Sequence, residues 1–368
     1  MATHSAVATV GIKKPLAIIQ VPTVTPQGDE VRVRVEWTAS TPLDLHQNDG
    51  GLLVTHPQVL GDGAAGTVVE VGEGVKRLKV GDKVFGFTWR EQKEKAQQEF
   101  CTAPEWLFSL LPDGFTLAEA VTLPNNFVTA FHALTKHLEL ELPWPKPEGY
   151  APTPCSIAII IWGGSSSVGQ FAIQILRWYG FTNIITVASK KHHQKLNALG
   201  AKWTFDYNDK HVVSSVLNTG SSQITTGSRA GIPLIFDCIG SKDGSIRPLS
   251  KIAKRGAKVA VLLPVIVRDS SDTVDPEYEM DVSKTADWNK EVEVTGVRTH
   301  FYTDNEFFKY HLQPEIMYTM LKERAVRPNN QRIIEGKTLL ERAQNALDTL
   351  RRKEVSGERL VWRVAEES

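Results

Sequence analysis

Between residues 159 and 169 the chain reads IIIWGGSSSVG, an apolar run that breaks into small residues and resumes as QFAIQILRWYG. A buried strand, a bare bend and a helix start bring unpaired backbone N–H groups and the positive end of a helix dipole to one point, where an anion satisfies both. The bend is therefore expected to cradle a pyrophosphate, with Ser165, Ser166, Ser167 and Val168 offering N–H groups and hydroxyls. Gly164 and Gly169 hold the outer places of the G-x-G-x-x-G dinucleotide fingerprint, and the middle place is Ser166. A plain tight turn is the alternative; the strand, helix, strand order around the bend favours the cradle.

The second test lies at the tip of the next strand, where chains that bind NAD carry an acid for the ribose 2′-hydroxyl. Here the strand IITVAS runs into Ser189, Lys190, Lys191, His192 and His193, with no acid at its tip. A hydroxyl and ammonium groups bind a 2′-phosphate that a carboxylate would repel. NADPH is expected over NADH. Read alone, KKHH is also a solvated helix start, but basic residues there oppose the dipole. Downstream, Tyr207 in AKWTFDYND is expected to cover the adenosine phosphate or to be a half-buried structural ring.

These residues need elements to position them, and the pattern changes along the chain. The first third is short, glycine-punctuated and β-rich: EVRVRVEW alternates apolar and charged residues as a half-buried strand does, and GAAGTVVEVGEGV and VGDKVFGF follow. From about Leu123, helical periods alternate with apolar strands (FVTAFHALTKHL, SIAIIIWG, NIITVAS, PLIFDCIG, AKVAVLLP), the pattern of a parallel sheet with crossover helices. ELPWPKPEGYAPTP reads as a surface loop inside the domain, with a domain linker as the alternative, since its prolines forbid helix and discourage pairing. The tail gives an amphipathic helix, a Ser-Gly turn and a last strand.

Composition narrows the function. The 368 residues carry 42 basic and 42 acidic side chains, so no global field recruits nucleic acid or an anionic membrane. No apolar run reaches a membrane span and the N-terminus lacks a signal pattern, so a cytoplasmic protein is expected. Cys101, Cys155 and Cys238 are scattered, which argues against a disulfide framework or a four-cysteine zinc knot.

The order EVRVRVEWTASTPLD, VLGDGAAGTVVEVGEGVKRLKVGDKVFGF, LPDGFTLAEAVTLPNNFVTAFHAL, GGSSSVGQFAIQ, LGAKWTFDYND, FDCIG and GERLVWRV resembles the medium-chain dehydrogenase/reductase superfamily over nearly the whole chain. Within it the sequence is similar to the zinc-free enoyl and quinone reductase branch, particularly fungal trans-acting enoyl reductases. The resemblance implies an α/β protein with two domains. A GroES-like, β-rich catalytic domain would span residues 1–124 and 320–368, and a Rossmann-type doubly wound parallel sheet domain binding NADPH would span 125–319.

In zinc-using relatives the catalytic metal is held by a cysteine before a Ser/Thr-Asp pair, a His-Glu pair after a glycine, and a cysteine opening the helix that enters the cofactor domain. The matching positions here are Thr41, Asp62-Gly63 and Asn125. One carboxylate with no thiolate or imidazole does not make a tetrahedral zinc site. The lobe that carries structural zinc in relatives offers only Cys101. No metal is expected, and without a Lewis acid the oxidation of simple alcohols loses its alkoxide stabiliser.

What the resemblance implies instead is hydride transfer from NADPH to the C=C bond of an α,β-unsaturated carbonyl. By the same resemblance His46 faces cofactor and substrate, as proton donor or ribose partner, with Asp44 counted among the cofactor-binding positions. Thr129 fixes the nicotinamide carboxamide or ribose, and Asn125 and Asn126 supply amide donors to a carbonyl oxygen. Leu262 and Leu263 end a strand at the nicotinamide, since ligands bind outside the carboxyl ends of parallel strands. Val355 and Ser356 match a segment that closes over the cofactor. Core leucines, helix packing and an exposed histidine are the plainer readings of the same residues. The substrate is expected to be a small enal or enone, or an enoyl chain carried on a synthase, with loops 88–100 and 264–300 setting its size. Quinone reduction, and a non-catalytic NADPH-binding partner protein, are the alternatives. VEVTGVRTHFY is a candidate sheet edge for a homodimer, a monomer being the other state expected.

Overall fold

Two units divide the chain, residues 1–128 with 303–368, and residues 129–302. The computed structural model describes residues 2–221, 232–271 and 273–365. Residues 1 and 366–368 of the expected catalytic domain, 222–231 of the expected cofactor domain, and 272 of the 264–300 loop lie outside the described residues.

The first unit is built on the strand Glu30–Ser40. Val31, Val33 and Val35 are wholly buried, and Arg32, Arg34 and Glu36 alternate toward the other face, as a strand with one buried side requires. Gly63–Val71, Phe100–Pro104 and the last strand, Glu358–Arg363, all pair with it antiparallel. The helix Leu339–Arg351 lays Leu339, Ala343, Ala346 and Leu347 into the core under this sheet.

The return to this unit falls at residue 303, where the sequence placed it at 320. Leu312, Ile316 and Met317 are wholly buried. The Gln313 amide completes a strand edge: Phe87 N donates to its Oε1 at 2.7 Å, and its Nε2 donates to Phe87 O at 3.2 Å. Helical periodicity tells that a segment has an apolar face, and says nothing of which core receives it.

The second unit holds six parallel strands. They are Ile159–Trp162, Ile184–Val187, Trp203–Phe205, Leu234–Asp237, Lys258–Leu262 and Glu293–Val297. Ranked by sequence, their order in the sheet is 3-2-1-4-5-6, the doubly wound order with its switch point between the first and fourth strands. Ile159, Ile160 and Ile161 are wholly buried, which is why this strand reads as a continuous apolar run. Residues 138–158 hold no helix or strand. They pack on the end of the helix Ser167–Tyr179, with the Tyr179 hydroxyl donating to Pro143 O at 3.1 Å and the Lys146 amine 4.7 Å from the Trp178 ring centre. Glu293–Val297, inside the candidate homodimer segment, is an edge strand of this sheet.

Candidate functional site

In the second unit, the strand Ile159–Trp162 ends at Gly163, whose φ of 81° turns the chain sharply. Gly163 N and Gly164 N both donate to Val187 O, at 2.9 and 3.2 Å, and Ser166 N donates to Gly163 O at 2.8 Å. The turn is closed by its own backbone. A side chain at Gly164 would run into Thr186 Oγ1, and a Cβ at Gly169 would lie 2.5 Å from Gly163 O and 2.8 Å from Gly164 Cα. Both outer fingerprint glycines are therefore required by close packing of strand, turn and helix.

The middle place explains its serine. Ser166 has φ −64° and ψ 159°, extended backbone open to any residue, and it is the N-cap of the helix Ser167–Tyr179. Its Oγ accepts from Gly169 N at 3.1 Å. The hydroxyl expected on a phosphate is thus engaged in capping, worth about 1 kcal/mol to the helix. The groups left to meet a phosphate are the backbone N–H groups of the bend and the first turn, Val168 included. A helix end bared by two obligatory glycines fits a pyrophosphate.

At the tip of the second strand Lys190 and Lys191 are exposed on a short 3₁₀ turn, with Ser189 and His192 partly exposed beside them. Burial, and then Lys191, lower the pKa of His192. His193 Nε2 donates to Ala188 O at 3.0 Å, a structural use. One residue escaped the sequence reading. Asp206, just beyond the neighbouring third strand, accepts hydrogen bonds at its carboxylate from Asn208 N at 3.0 Å and from Lys190 N. No acid stands at the end of the second strand, yet one arrives from the strand paired with it. The parallel pairing of Val187 with Phe205 was the signal that could have found it. Tyr207 beside it is 53% exposed.

At the carboxyl edge of the same sheet, Leu262 ends the fifth strand and Leu263 follows it. Leu263 N donates to Val297 O at 3.3 Å, and its side chain lies against Gly296. Thr129 Oγ1 and Thr299 Oγ1 share a hydrogen bond of 2.8 Å, which brings Thr129 to the end of the sixth strand. Thr129, Leu262 and Leu263 thus gather at one edge of the sheet, and Thr299 joins them as a residue the sequence did not single out.

In the first unit, the positions compared with metal ligands are brought together and joined to one another. Asn125 Nδ2 donates to Asp62 Oδ1 at 3.0 Å, and Arg359 donates from its guanidinium to Asn125 Oδ1 at 3.1 Å. Arg359, Asp62 and Asn125 are all buried. Burial pulls the Arg359 pKa down to about 10, against the opposing pull of Asp62 and Asp44. Thr41 Oγ1 caps the helix Pro42–Gly50 by accepting from Leu43 N. The Asp44 carboxylate accepts from Thr41 N at 2.8 Å, completing a capping box. Burial first, and then the Asp62 charge, push the Asp44 carboxyl up to about 7. Burial lowers the pKa of Lys95, against the smaller opposing pull of Asp62, Asp44 and Glu94.

Asn125 donates from its amide to Asp62 and accepts from Arg359 at its amide oxygen, which ties it into this network. Asp44 is a buried capping residue of the helix Pro42–Gly50. His46 is half-buried on the same helix, and Asn126 is buried beside Asn125. Val355 packs against the core of the first unit, with Ser356 next to it before the last strand.

Zinc does not fit these positions. A guanidinium already occupies the neighbourhood of the one carboxylate and would repel a divalent cation. Among the described residues no group of three or more His, Cys, Asp or Glu is placed to hold a metal. Nor is any described helix long and apolar enough to cross a membrane.

Residues 27–133 match the family described as alcohol dehydrogenase GroES-like domain, and residues 167–307 match that described as zinc-binding dehydrogenase. A trans-enoyl reductase of Aspergillus japonicus is 34% identical over 219 residues, 58% of this chain; the match spans 60% of that relative's length. A trans-enoyl reductase of Aspergillus terreus is 33% identical over 214 residues, covering 55% of this chain and 68% of its own. Among solved structures, a putative zinc-dependent alcohol dehydrogenase from Rhizobium etli superposes with a TM-score of 0.75 at 21% identity over all of both chains. The CurK enoyl reductase superposes at 0.71 and 16% identity, over 97% of this chain and 99% of its own.

Proposed function

The chain belongs to the medium-chain dehydrogenase/reductase superfamily, and on that premise we propose that it is an NADPH-dependent reductase of the C=C bond of α,β-unsaturated carbonyl compounds, working without zinc. The observation that supports this reading is the chain Asp62–Asn125–Arg359: a buried guanidinium engages, through Asn125, the one carboxylate among the positions compared with zinc ligands. Reduction of an activated C=C bond needs no alkoxide stabiliser, only hydrogen-bond donors for a developing enolate.

When bound, NADPH supplies the hydride. Val168 and the neighbouring backbone N–H groups of the bend would hold its pyrophosphate, and Lys190, Lys191 and Ser189 its 2′-phosphate. The Thr129–Thr299 hydroxyl pair would orient the carboxamide at the carboxyl edge of the sheet, with Leu262 and Leu263 shielding that edge from water. The hydride goes to the β-carbon of the substrate and a proton to its α-carbon. The names of the fungal relatives support an enoyl substrate, either a small free enal or enone or one carried on a synthase.

The test is loss of NADPH absorbance on mixing the protein with a panel of enals, enones and quinones, with the saturated product identified by mass. Transfer of deuterium from labelled NADPH to the β-carbon is the expected result. Turnover of quinones alone would move the reading to quinone reduction, and no oxidation with any acceptor would overturn catalysis in favour of an NADPH-binding partner protein.

A further inference from the structure

Resting on the reading above, we propose that Asp237 is a positioning residue for the dinucleotide, its buried carboxylate clamping the turn 238–241 as one wall of the cofactor crevice. The stretch FDCIG, to which the cofactor reading gave no task, supplies both the carboxylate and the turn.

Asp237 is the last residue of the strand Leu234–Asp237 and is wholly buried. Its Oδ1 accepts from Ile239 N at 2.9 Å and from Gly240 N at 3.2 Å, and its Oδ2 accepts from Ser245 Oγ at 2.6 Å. A carboxylate held away from water requires donors of this kind on both oxygens. A leucine there would fill the same core and leave the two N–H groups unpaired. Ser245 Oγ also accepts from Ser241 N at 3.0 Å, which fixes the far end of the turn.

The turn meets the site on both sides, within the second unit alone. Toward the first strand, Cys238 N donates to Trp162 O at 2.9 Å, and Ile239 rests on the phosphate bend: a Cβ at Gly163 would lie 2.5 Å from its Cδ1. Toward the fifth strand, Ile266 N donates to Gly240 O at 2.7 Å, and a Cβ at Gly240 would collide with Leu262 O. The sheet order reverses between the first and fourth strands, and ligands of doubly wound sheets bind in the crevice that opens there. One buried carboxylate thus ties the phosphate bend to the edge that carries Leu262.

Without the clamp the turn has several arrangements, of which one suits the ligand. The dinucleotide must then order it on binding, and the dissociation constant rises as the fraction already ordered falls. The first strand lies between this turn and the tip carrying Lys190 and Lys191, so the loss is the same with and without a 2′-phosphate. Once the dinucleotide is bound the turn is in place, and turnover at saturation is kept.

The experiment titrates NADPH and NADH by calorimetry into the full chain as wild type, Asp237→Ala and Asp237→Asn, and follows 2-hexenal reduction at saturating NADPH. Expected for Asp237→Ala is a roughly tenfold rise of both dissociation constants, with kcat within about threefold of wild type. Asp237→Asn keeps an oxygen for Ile239 N and Gly240 N. Its amide donates to Ser245 Oγ, whose own hydrogen turns to Ser241 O, 3.1 Å away. This variant is expected to bind both dinucleotides within about threefold of wild type. Should Asp237→Ala fail to fold by circular dichroism, Ser245→Ala, which removes one donor of three, takes its place with an expected loss of about threefold. Unchanged binding in the alanine variant, a loss confined to NADPH, an asparagine variant as weak as alanine, or a fall in kcat with binding intact would each overturn the inference and leave the reductase reading standing. The binding comparison decides whether or not 2-hexenal is turned over. Where wild type binds neither dinucleotide, the reading itself falls and takes the inference with it.

Discussion

Gly164 lies directly against Thr186, so that any Cβ on the turn would collide with the threonine hydroxyl, which itself donates to Ile161 O at 2.9 Å. First and second strands are thereby drawn together under the bend. Replacing Gly164 by Ala should cost about 1–3 kcal/mol through overpacking and abolish detectable NADPH binding, as read by thermal melts with and without the dinucleotide. A variant that melts like wild type and keeps its ligand-induced shift would show that the bend is not the cradle.

The strand tip carries charges of both signs. Lys190→Ala/Lys191→Ala should weaken NADPH by about tenfold or more and NADH by less than about threefold, because only the former brings a 2′-phosphate. Asp206→Ala should move NADPH affinity in the opposite direction, since its carboxylate sits against the Lys190 backbone. Parallel titrations of both dinucleotides into the three proteins decide the matter; equal losses for NADH and NADPH would remove Lys190 and Lys191 from 2′-phosphate recognition.

Asp44 makes a pH prediction with a definite sign. Its folded pKa of about 7 lies above its ordinary value of 3.8, so the folded state binds the proton more tightly. The associated stability is complete below about pH 4 and is lost as pH rises to about 7. Asp237, pushed up to about 6 by burial, adds a contribution of the same sign. His132, pulled down to about 4, and His137, also lowered, contribute oppositely and gain stability as pH rises toward 6.5. The difference between wild type and Asp44→Asn isolates the one carboxyl, with the asparagine oxygen still able to accept from Thr41 N. Urea midpoints should favour the variant by about 1–3 kcal/mol at pH 8 and converge near pH 4. A constant difference across that window would mean that Asp44 is ionised throughout.

Arg359 should be the costliest single side chain to remove from the first unit. Arg359→Met leaves Asp62 buried without its compensating charge, for a loss of about 3–5 kcal/mol. Adding Asp62→Asn should return part of that loss, a coupling visible in a double-mutant cycle. Strict additivity of the two changes would show that the guanidinium and the carboxylate do not communicate through Asn125.

Much of this was legible in the residues. The run of isoleucines before the bend announced a strand buried on both faces, and the two glycines announced a turn with no room for side chains. Ser166 was legible as a departure but not as a helix cap, because capping depends on the backbone angles of one residue. Asp206 was hidden for a different reason: strand pairing, and not sequence distance, brings it to the tip. The Asp62–Asn125–Arg359 chain joins residues separated by 63 and 234 positions. Arginine in an alternating last strand reads as an exposed residue, and only tertiary structure shows it buried.

The last strand, Glu358–Arg363, is zipped onto Glu30–Ser40. While a ribosome is still making this chain, the sheet of the first unit therefore lacks a member until more than three hundred further residues have emerged, whereas all six strands of the parallel sheet already exist. A nascent chain stalled before residue 358 should protect the middle of the sequence from protease and leave its beginning open to cleavage.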